Sequence, residues 1–542
     1  MGNGSRMENA AIAERLDTFA LLLELAEANP YSVRAYRRAA ELVRSTPAPV
    51  AELAAAGRLR ELRGIGAAIE ARVRELVETG RIAELDELER TVSPEVVGFG
   101  RFLGLGARRS LELARALDLH TAEELRAAVL DGRIREAPGI GPKTAARLAA
   151  ALQQGPAPGG RTLLLNRSRA LLERVAAAAG GEPAGDPRRG VDASGNLAVV
   201  VTADDASAAI ERFVAAADVV ALVERTAGGA IGVTADGLPV DLVVAPPHAA
   251  GTALVRATGS ARYVAALEPL PDAPTETAVY EALGLPYLPP ELREEPFRGE
   301  PPPLIELRAI RGDLHCHTTW SDGRASVLEL GEAARARGYE YVAVCDHTPS
   351  VRVVPGVDAD ALRRQGEEIA AANERLSPFR ILRGAECDIL PDGLLDLPDD
   401  VLAELDWVTA SLHAGQRAPG RELTRRVTEA MRHPAVRALS HPTGRLINRR
   451  PPNALDLEET IAVALETGVA LEVNGLPDRL DLSGEHVRLA VEAGARIVVN
   501  TDAHSVAGLG NMELAVATAR RGRATAADVV NTRALPELLA RG

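Results

Sequence analysis

The 542-residue sequence is poor in lysine, in cysteine and in long apolar runs. Lys143 is the single lysine, so arginine supplies nearly all of the positive charge, and chemistry that needs a nucleophilic amine has only this candidate. No apolar run approaches the roughly 20 residues of a membrane span, and the N-terminus lacks the basic-then-apolar pattern of a signal peptide. We therefore expect a cytoplasmic protein without a membrane partner.

The three cysteines are too few and too irregularly spaced for a disulfide framework, which indicates a reducing compartment. Cys316, Cys345 and Cys387 each stand close to a candidate metal ligand. On a strand, however, the neighbour of an inward residue points outward. We therefore predict buried thiols rather than ligands.

A length of 542 residues predicts several domains, and a composition of 46% hydrophobic and 25% charged residues is typical of a globular protein. The net charge of −14 excludes a protein coated with basic surface. It does not exclude a nucleic-acid partner, because local groups and backbone amides can hold phosphates.

Residues 8–155 read as helices joined by glycine turns, among them three related hairpins. These begin at Leu62 (LRGIGAAIEARVREL), Phe102 (FLGLGARRSLELARAL) and Ala137 (APGIGPKTAARLAAAL). The glycines permit a tight turn and leave free amides at the next helix N-terminus, where a phosphate can bind. We therefore predict a helix-hairpin-helix region that contacts the DNA backbone independently of base sequence, with the second hairpin the weaker because it lacks a Pro-Lys pair. The predicted contact residues are Gly64, Ile65, Gly66, Gly104, Gly106, Gly139, Ile140, Gly141 and Lys143.

A linker, QQGPAPGGR at residues 153–161, follows the hairpins. Strands and helices then alternate, which predicts an α/β domain over residues 160–285, before a proline-rich, acidic linker over residues 286–310. From residue 311 to residue 542 the order strand, helix repeats about seven times. That order is typical of a parallel α/β barrel.

Candidate metal ligands stand where apolar strands of this last segment end. In DLHCHTTWSDG, His315 and His317 are two residues apart, so both imidazoles can reach one ion, and Asp322 follows. The others are His347 after YVAVCD, Glu386 after ILRGA, His413 after WVTASL, His441 after RALS, and Asp502 with His504 after RIVVNT. Six of the ten histidines stand at such ends, where parallel α/β barrels build their active sites.

The motifs DLHCHTTWSDG, VCDHT, GAECDIL, SLHAG, SHPTGR, LEVNG and NTDAHS resemble those of a PHP (polymerase and histidinol phosphatase) domain. Together with the hairpins, the α/β segment and ALGLPYLPPELRE, they resemble the bacterial family X DNA polymerases that carry this domain at the C-terminus. The resemblance covers almost the whole chain. It implies a multidomain protein with an all-α helix-hairpin-helix region, a nucleotidyltransferase-like α/β (α+β) middle and a C-terminal distorted (β/α)7 PHP barrel.

The resemblance implies a site for three divalent ions, with Glu386 bridging two of them. All nine of the family's ligands are matched: His315, His317, Asp322, His347, Glu386, His413, His441, Asp502 and His504. Imidazole and carboxylate ligands suit Mn, Zn or Fe, with Mg as a further candidate. Beside them, Arg445 in HPTGR is predicted to neutralise phosphate oxygens, and Asp346 to orient His347 or a neighbour.

The middle segment departs from the family pattern. Family X polymerases place two carboxylates as Asp-x-Asp on one strand and a third on a later strand, because nucleotidyl transfer needs two metal ions. Here Asn196 and Ala198 stand at the positions of the pair, and only Asp241 remains. Asp186 replaces the serine of the phosphate-binding Gly-Ser motif. We therefore predict no template-directed synthesis.

Removal of 5′-deoxyribose phosphate through a lysine Schiff base, known for some relatives, is also predicted absent, because the single lysine lies in the third hairpin. The prediction is a DNA-repair-associated, metal-dependent phosphodiesterase: a 3′-to-5′ exonuclease, with abasic-site endonuclease or 3′-end processing as additional activities. Its expected partners are gapped, nicked or 3′ DNA ends at the nucleoid, with DNA-repair proteins as further candidates. Three alternatives stay open: an active gap-filling DNA polymerase X, a histidinol-phosphatase-like small-molecule phosphatase, and a DNA-binding structural factor.

Overall fold

The computed structural model describes Met7 and residues 9–46, 49–62, 64–154, 161–351 and 354–540. The chain forms two compact units: Met1–Arg161 with Arg174–Glu182 and Gly195–Ala245, and Thr162–Glu173 with Pro183–Ser194 and Pro246–Gly542. Among the described residues, no helix combines the length and the apolar character that crossing a membrane requires. The boundaries of the four predicted segments stay predictions.

The N-terminal part of the first unit is helical in the described residues. Its helices are α1 Asn9–Leu25, α2 Pro30–Ser45, α3 Val50–Ala55, α4 Ala67–Thr79, α5 Ala83–Thr91, α6 Pro94–Phe102, α7 Ala107–Leu117, α8 Ala122–Leu130 and α9 Pro142–Gln154. Local capping explains several starts: the Asn29 side chain accepts from the second residue of α2, and Thr121 with Glu124 forms a capping box at α8. Apolar residues at helical spacing, such as Leu16 and Phe19, are buried between the helices.

The middle segment contains both strands and helices, as predicted. The elements are β1 Leu163–Leu164, α10 Leu165–Ala179, β2 Glu182–Gly185, α11 Asp186–Arg189, β3 Ala193–Ser194, β4 Leu197–Thr202, α12 Ser207–Val214, β5 Ala221–Thr226, β6 Gly229–Val233, β7 Pro239–Ala245, α13 Ala250–Thr258, α14 Ala261–Leu267 and α15 Glu276–Leu283. They do not alternate throughout, because β5, β6 and β7 follow one another, as do α13, α14 and α15. In the first unit β4, β7, β6 and β5 are neighbours in that order, with β4 parallel to β7 and the other pairs antiparallel. The mixed sheet confirms the α/β (α+β) prediction.

The C-terminal part of the second unit is a barrel of seven parallel strands that pair in chain order. Its elements are β8 Gly312–Cys316, α16 Val327–Ala336, β9 Tyr341–Val344, α17 Ala359–Leu376, β10 Arg380–Asp388, α18 Asp399–Ala403, β11 Trp407–Ser411, α19 Gly420–Met431, β12 Val436–Leu439, α20 Leu457–Thr467, β13 Ala470–Asn474, α21 Gly484–Glu492, β14 Ile497–Asn500, α22 Met512–Arg521 and α23 Leu535–Leu539. The architecture confirms the predicted (β/α)7 barrel.

The barrel nearly closes between β8 and β14. Cys316 forms a parallel bridge to Ala503, and the Asn500 side chain accepts a hydrogen bond from the backbone of Leu314 (3.0 Å). Every strand contributes to the apolar interior: Leu314, Tyr341, Leu382, Trp407, Ala438, Ala470 and Val498. The polar strand ends continue beyond this cluster, which places them together at the C-terminal edge of the barrel.

The three cysteines are free and buried, as predicted. Cys316 and Cys387 pack in the layers between strands and helices. Cys345 instead joins the interior cluster, because it precedes His347 by two residues and therefore shares its face.

Candidate metal centre

The nine predicted ligands converge at the C-terminal edge of the barrel. His315 lies on β8 and Glu386 on β10, and the other seven lie in the loops that directly follow β8, β9, β11, β12 and β14. Six of the nine are buried, whereas Asp322, His413 and His504 are half-buried. The site is therefore accessible from solvent through these three.

Glu386 lies at the centre of the group. Its Oε2 is 2.8 Å from His347 Nδ1, and its Oε1 is 2.9 Å from His441 Nε2 and 3.3 Å from His413 Nε2. The carboxylate thus presents each oxygen to a different imidazole, as a ligand that bridges two ions does.

Two aspartates complete the site. Asp502 Oδ1 is 3.0 Å from His317 Nε2 and 3.8 Å from His315 Nε2. Asp322 Oδ2 is 3.3 Å from His504 Nε2. Each carboxylate therefore shares its surroundings with imidazole nitrogens that can turn to a common cation.

The donor atoms fit metal ions. They form three groups, each with its atoms within 4.8 Å of one another: His317, Asp322, His347 and His504; His315, His317 and Asp502; and His347, Glu386 and His413. Buried atoms without a hydrogen-bond partner are His315 Nε2, His317 Nδ1 and Nε2, His347 Nδ1, His413 Nδ1, His441 Nδ1 and Glu386 Oε2. Leaving a buried polar atom unsatisfied costs about 1–3 kcal/mol. Bound cations would remove that cost. His441 lies outside the three groups and would reach the metal centre through its contact with Glu386.

Burial and mutual attraction set the protonation of this group. Burial raises the pKa of Glu386, but the positive charges of His413 and other histidines outweigh it and hold the pKa well below its usual range. Burial lowers the pKa of His413, but the Glu386 carboxylate outweighs it and raises the pKa to about 10. His504 follows the same pattern beside Asp322, and its pKa rises to about 9. The carboxylates thus stabilise positive charge at this edge, as a cation site requires.

Glu472 was not predicted from the sequence, yet it positions two of the histidines. It is fully buried on β13, and its Oε1 accepts from His315 Nδ1 (2.7 Å) and from Asn500 Nδ2 (2.9 Å). Its Oε2 accepts from the backbone of His441 (2.9 Å). Because His315 donates from Nδ1, its Nε2 is left to face the site. The available signal was an acidic residue inside the apolar strand LEVNG.

Asp346 holds the loop that carries two of the predicted ligands. It is fully buried and accepts from Thr318 N (2.8 Å), Thr318 Oγ1 (2.6 Å) and Gln365 Nε2 (2.6 Å), and also from Ser321 Oγ. Thr318 and Ser321 lie between His317 and Asp322. Asp346 therefore fixes the spacing of that pair.

Arg445 is engaged by neighbours within the second unit. Its Nη2 donates to Asp192 Oδ2 (2.7 Å) and to the backbone carbonyl of Leu480. The contact with Asp192 fixes the position of the guanidinium.

The first and third hairpins have the predicted form. The turn glycines adopt positive φ, at 109° for Gly64 and 73° for Gly139. A Cβ added at Gly66 or at Gly141 would meet nothing within 4 Å, so the backbone just before α4 and α9 is open to a partner. Lys143, in the first turn of α9, is exposed.

The second hairpin has an acidic neighbour. Glu27 Oε1 accepts from the backbone nitrogen of Arg108 (3.4 Å), in the first turn of α7. Arg147 of α9 donates to the carbonyl of Gly104 (3.3 Å). The third hairpin has a similar arginine contact, from Arg109 to the carbonyl of Pro138, so the acidic group is what sets the second hairpin apart.

Comparisons with known proteins agree with this architecture. A Helix-hairpin-helix domain model matches residues 7–82, and a SAM-like Helix-hairpin-helix tandem model matches residues 102–154. The DNA polymerase/3'-5' exonuclease PolX of Bacillus subtilis is 32% identical, over 98% of this chain and 99% of that protein. The chain belongs to the bacterial family X DNA polymerases that carry a PHP domain.

The C-terminal part of this family X chain has shorter relatives as well. A protein of Acetivibrio thermocellus named "Probable phosphatase" is 31% identical over 35% of this chain and 78% of that protein. A protein of Photobacterium profundum with the same description is 31% identical over 37% of this chain and 81% of that protein. The PHP part is therefore shared with proteins described as phosphatases.

The middle sheet of this family X member has Asn196 and Ala198 at the positions of the family's carboxylate pair. Ala198 on β4 pairs in register with Asp241 on β7, so a methyl group lies beside the remaining carboxylate, and Asn196 precedes the strand and is exposed. Burial raises the pKa of Asp241, and the negative charge of Glu224 raises it further. Among the residues that the structure describes, no group of three ligand-type side chains includes Asp241.

The two arginines that follow Asp186 are paired within the second unit. Arg189 bonds to Asp186 Oδ1 (2.7 Å) and to Glu294 Oε2 (3.0 Å). Arg188 donates to both carboxylate oxygens of Glu276, each at 2.7 Å. The guanidinium groups of Arg188 and Arg189 are thus paired with acidic side chains of the protein.

Proposed function

We propose that this protein is a DNA-processing hydrolase that cuts phosphodiester bonds in a metal-dependent reaction. Its main activity is a 3′-to-5′ exonuclease, with abasic-site endonuclease or 3′-end processing as additional activities. The observation that carries the proposal is the convergence of six imidazoles and three carboxylates at one barrel edge. The name of the Bacillus relative, which includes 3'-5' exonuclease, supports the same polarity.

We assign three divalent ions to this edge, chosen from Mn, Zn and Fe by ligand chemistry, with Mg as a further candidate. His315, His317 and Asp502 would hold one ion, Asp322, His347 and His504 a second, and His413 and His441 a third, with Glu386 shared between two of the ions. When bound, such ions activate water near neutral pH and neutralise charge on phosphate oxygens.

The surrounding residues prepare the ligands. Glu472 keeps the proton of His315 on Nδ1, so the lone pair of Nε2 faces the site. Asp346 fixes the loop between His317 and Asp322. Arg445 supplies positive charge for phosphate oxygens at the same edge, with Asp192 holding its guanidinium in place.

The hairpins hold the DNA. The proposed contacts are Gly64, Ile65 and Gly66 in the first hairpin, and Gly139, Ile140 and Gly141 with Lys143 in the third. Gly66 and Gly141 supply open backbone, and Lys143 supplies an exposed positive charge for phosphates. In the second, Gly104 and Gly106 contribute less, because Glu27 repels an anion there. Binding is therefore expected to be independent of base sequence.

Polymerase and lyase activities are proposed to be absent. Asn196 and Ala198 cannot replace two metal-binding carboxylates, which leaves Asp241 as the single carboxylate at the three positions. Arg189 is already paired with Asp186. Schiff-base chemistry lacks its amine, since the only lysine is Lys143.

A small-molecule phosphatase is the second candidate, because the phosphatase relatives are matched over 78% and 81% of their own length. The hairpins oppose it, since a monoester substrate gives them no role. Hydrolysis of a phosphomonoester together with inertness towards DNA would favour this candidate.

The test is cleavage of labelled oligonucleotides on gapped, nicked and abasic duplexes with Mn²⁺, and with Zn²⁺, Fe²⁺ or Mg²⁺ in parallel. We expect progressive shortening from the 3′ end, and its loss in His315→Ala. His433→Ala is the matched control, because His433 follows α19 at the opposite edge of the barrel and pairs with Asp399. Absence of cleavage with every metal would refute the proposal.

A further inference from the structure

Three arginines stand on loops that leave the same barrel edge as the candidate ligands. Arg417 follows His413 by four residues, Arg450 lies in the loop after β12, and Arg479 lies in the loop after β13. The strands β11, β12 and β13 are adjacent and parallel. Their following loops are therefore neighbours, and we call Arg417, Arg450 and Arg479 the arginine cluster.

Backbone and side-chain contacts join these loops to each other and to the metal centre. The nitrogen of Ile447 donates to the carbonyl of Asp478 (2.7 Å), and Thr443 Oγ1 donates to Asp481 Oδ1 (2.9 Å). Thr443 is two residues from the candidate ligand His441. The loop that carries Arg479 thus packs against the loop that carries a ligand.

Arg450 is fixed within this junction. Its Nε donates to the carbonyl of Gly444 (2.9 Å), which sets the direction of the guanidinium. Burial lowers the pKa of Arg450, and the positive charges of Arg479 and Arg417 lower it further. The members of the cluster therefore lie close enough for mutual repulsion.

The protein supplies little to offset this repulsion. Within the described part of the chain, Arg417 and Arg479 form no ion pair within 4.0 Å. Asp481, the acidic group that acts on Arg450, is fully buried, bonds to Thr443, and has a raised pKa because burial disfavours its charged form. Asp478, beside Arg479 in the chain, pairs with Arg449 (3.8 Å). Like charges held together without an acidic partner favour an external anion.

We propose that Arg417, Arg450 and Arg479 form a second phosphate-binding site, which holds the phosphodiester next to the one that is cut. This inference rests on the proposed hydrolase function. The planar guanidinium matches the oxygens of a phosphate, and the exposed position of Arg417 suits a substrate that extends beyond the metal centre. The cluster makes the site selective for oligonucleotides over single phosphate esters.

The test compares two substrates in the full-length protein with Mn²⁺: a single-stranded oligonucleotide, and bis(p-nitrophenyl) phosphate, which has one phosphodiester and no neighbour. In Arg417→Ala and Arg479→Ala, KM for the oligonucleotide should rise about tenfold, equivalent to about 1.4 kcal/mol. The kcat/KM for the small diester and the metal content should be unchanged. Arg375→Ala, an exposed arginine near the end of α17 at the opposite edge of the barrel, should behave as the parent.

Each result decides one question. An unchanged KM for the oligonucleotide in both variants would overturn the second phosphate site. An equal loss on both substrates would overturn it too, because the arginines would then act on the phosphate that is cut. Cleavage of neither substrate by the parent would refute the hydrolase function instead; the cluster would then be judged by the salt dependence of oligonucleotide binding, which should lose about one phosphate contact per variant.

Discussion

The barrel edge and the middle sheet are the two places where a family X polymerase with a PHP domain is expected to hold divalent ions, and they have diverged in this chain. At the barrel edge all nine predicted positions carry imidazole or carboxylate groups, and seven of their buried atoms lack hydrogen-bond partners. In the middle sheet Asp241 lies beside Ala198, which carries no ligand atom. A metal site needs its complete donor set, so the difference supports the proposal that hydrolysis takes place at the barrel edge.

The largest effect is expected from Glu386→Gln. The amide cannot present two anionic oxygens to His347, His413 and His441, so the ions that Glu386 joins would be lost. Cleavage should fall by more than about a hundredfold, beyond the usual effect of changing a residue that only supports a ligand. Elemental analysis of the purified protein should show reduced metal content.

Glu466→Gln is the matched control, since Glu466 is exposed on α20, away from the ligands, and pairs with Arg432. This variant should keep both metal and activity. If Glu386→Gln retained full metal content and full cleavage, Glu386 would not be a metal ligand. The contrast between a complete donor set at the barrel edge and an incomplete one in the middle sheet would then fail.

A smaller effect is expected from Glu472→Gln. The amide can accept at one position only, so His315 and the backbone of His441 can no longer both be held. Loss of such an outer partner typically costs about 10–100-fold in metal affinity. A competition titration with a metal chelator measures this, with the unfolding temperature of the metal-free proteins as the control for folding. An unchanged metal affinity would show that Glu472 does not position the ligands and has only a packing role.

The sequence predicted the parts of the site that depend on short spacing. His315 and His317 are two residues apart on a strand, and the other ligands follow apolar strands, so parallel pairing alone brings them together. Glu472 was missed because an acidic residue inside a strand does not reveal which face it occupies. The pairs Arg189 with Glu294 and Arg445 with Asp192 span 105 and 253 residues, and no local pattern encodes such contacts.

A third prediction concerns the DNA contacts that serve the barrel. Lys143→Ala should weaken binding to a nicked duplex about threefold, whatever the base sequence, and reduce the salt dependence by about one phosphate contact. Fluorescence anisotropy at several salt concentrations measures both. Arg115→Ala, which changes an exposed residue at the far end of α7, should leave the affinity unaltered. Equal losses in the two variants would mean that the third hairpin has no special role.

The smallest effect is expected from Asp241→Asn, which should leave cleavage, metal content and DNA affinity unchanged. Nucleotide incorporation into a gapped duplex should be absent before and after the substitution. The pKa of Asp241 is raised in the folded protein, so the parent loses stability as the pH rises from about 4, the value for an unfolded aspartate, through the folded pKa. Asparagine has no ionisable group, so the variant does not lose stability in this way. At pH 7 the variant should therefore unfold at a temperature no lower than the parent, which thermal unfolding at about pH 4 and at pH 7 can measure. If the parent incorporated nucleotides and the variant did not, Asp241 would be shown to take part in catalysis. The middle sheet would then hold a working metal site.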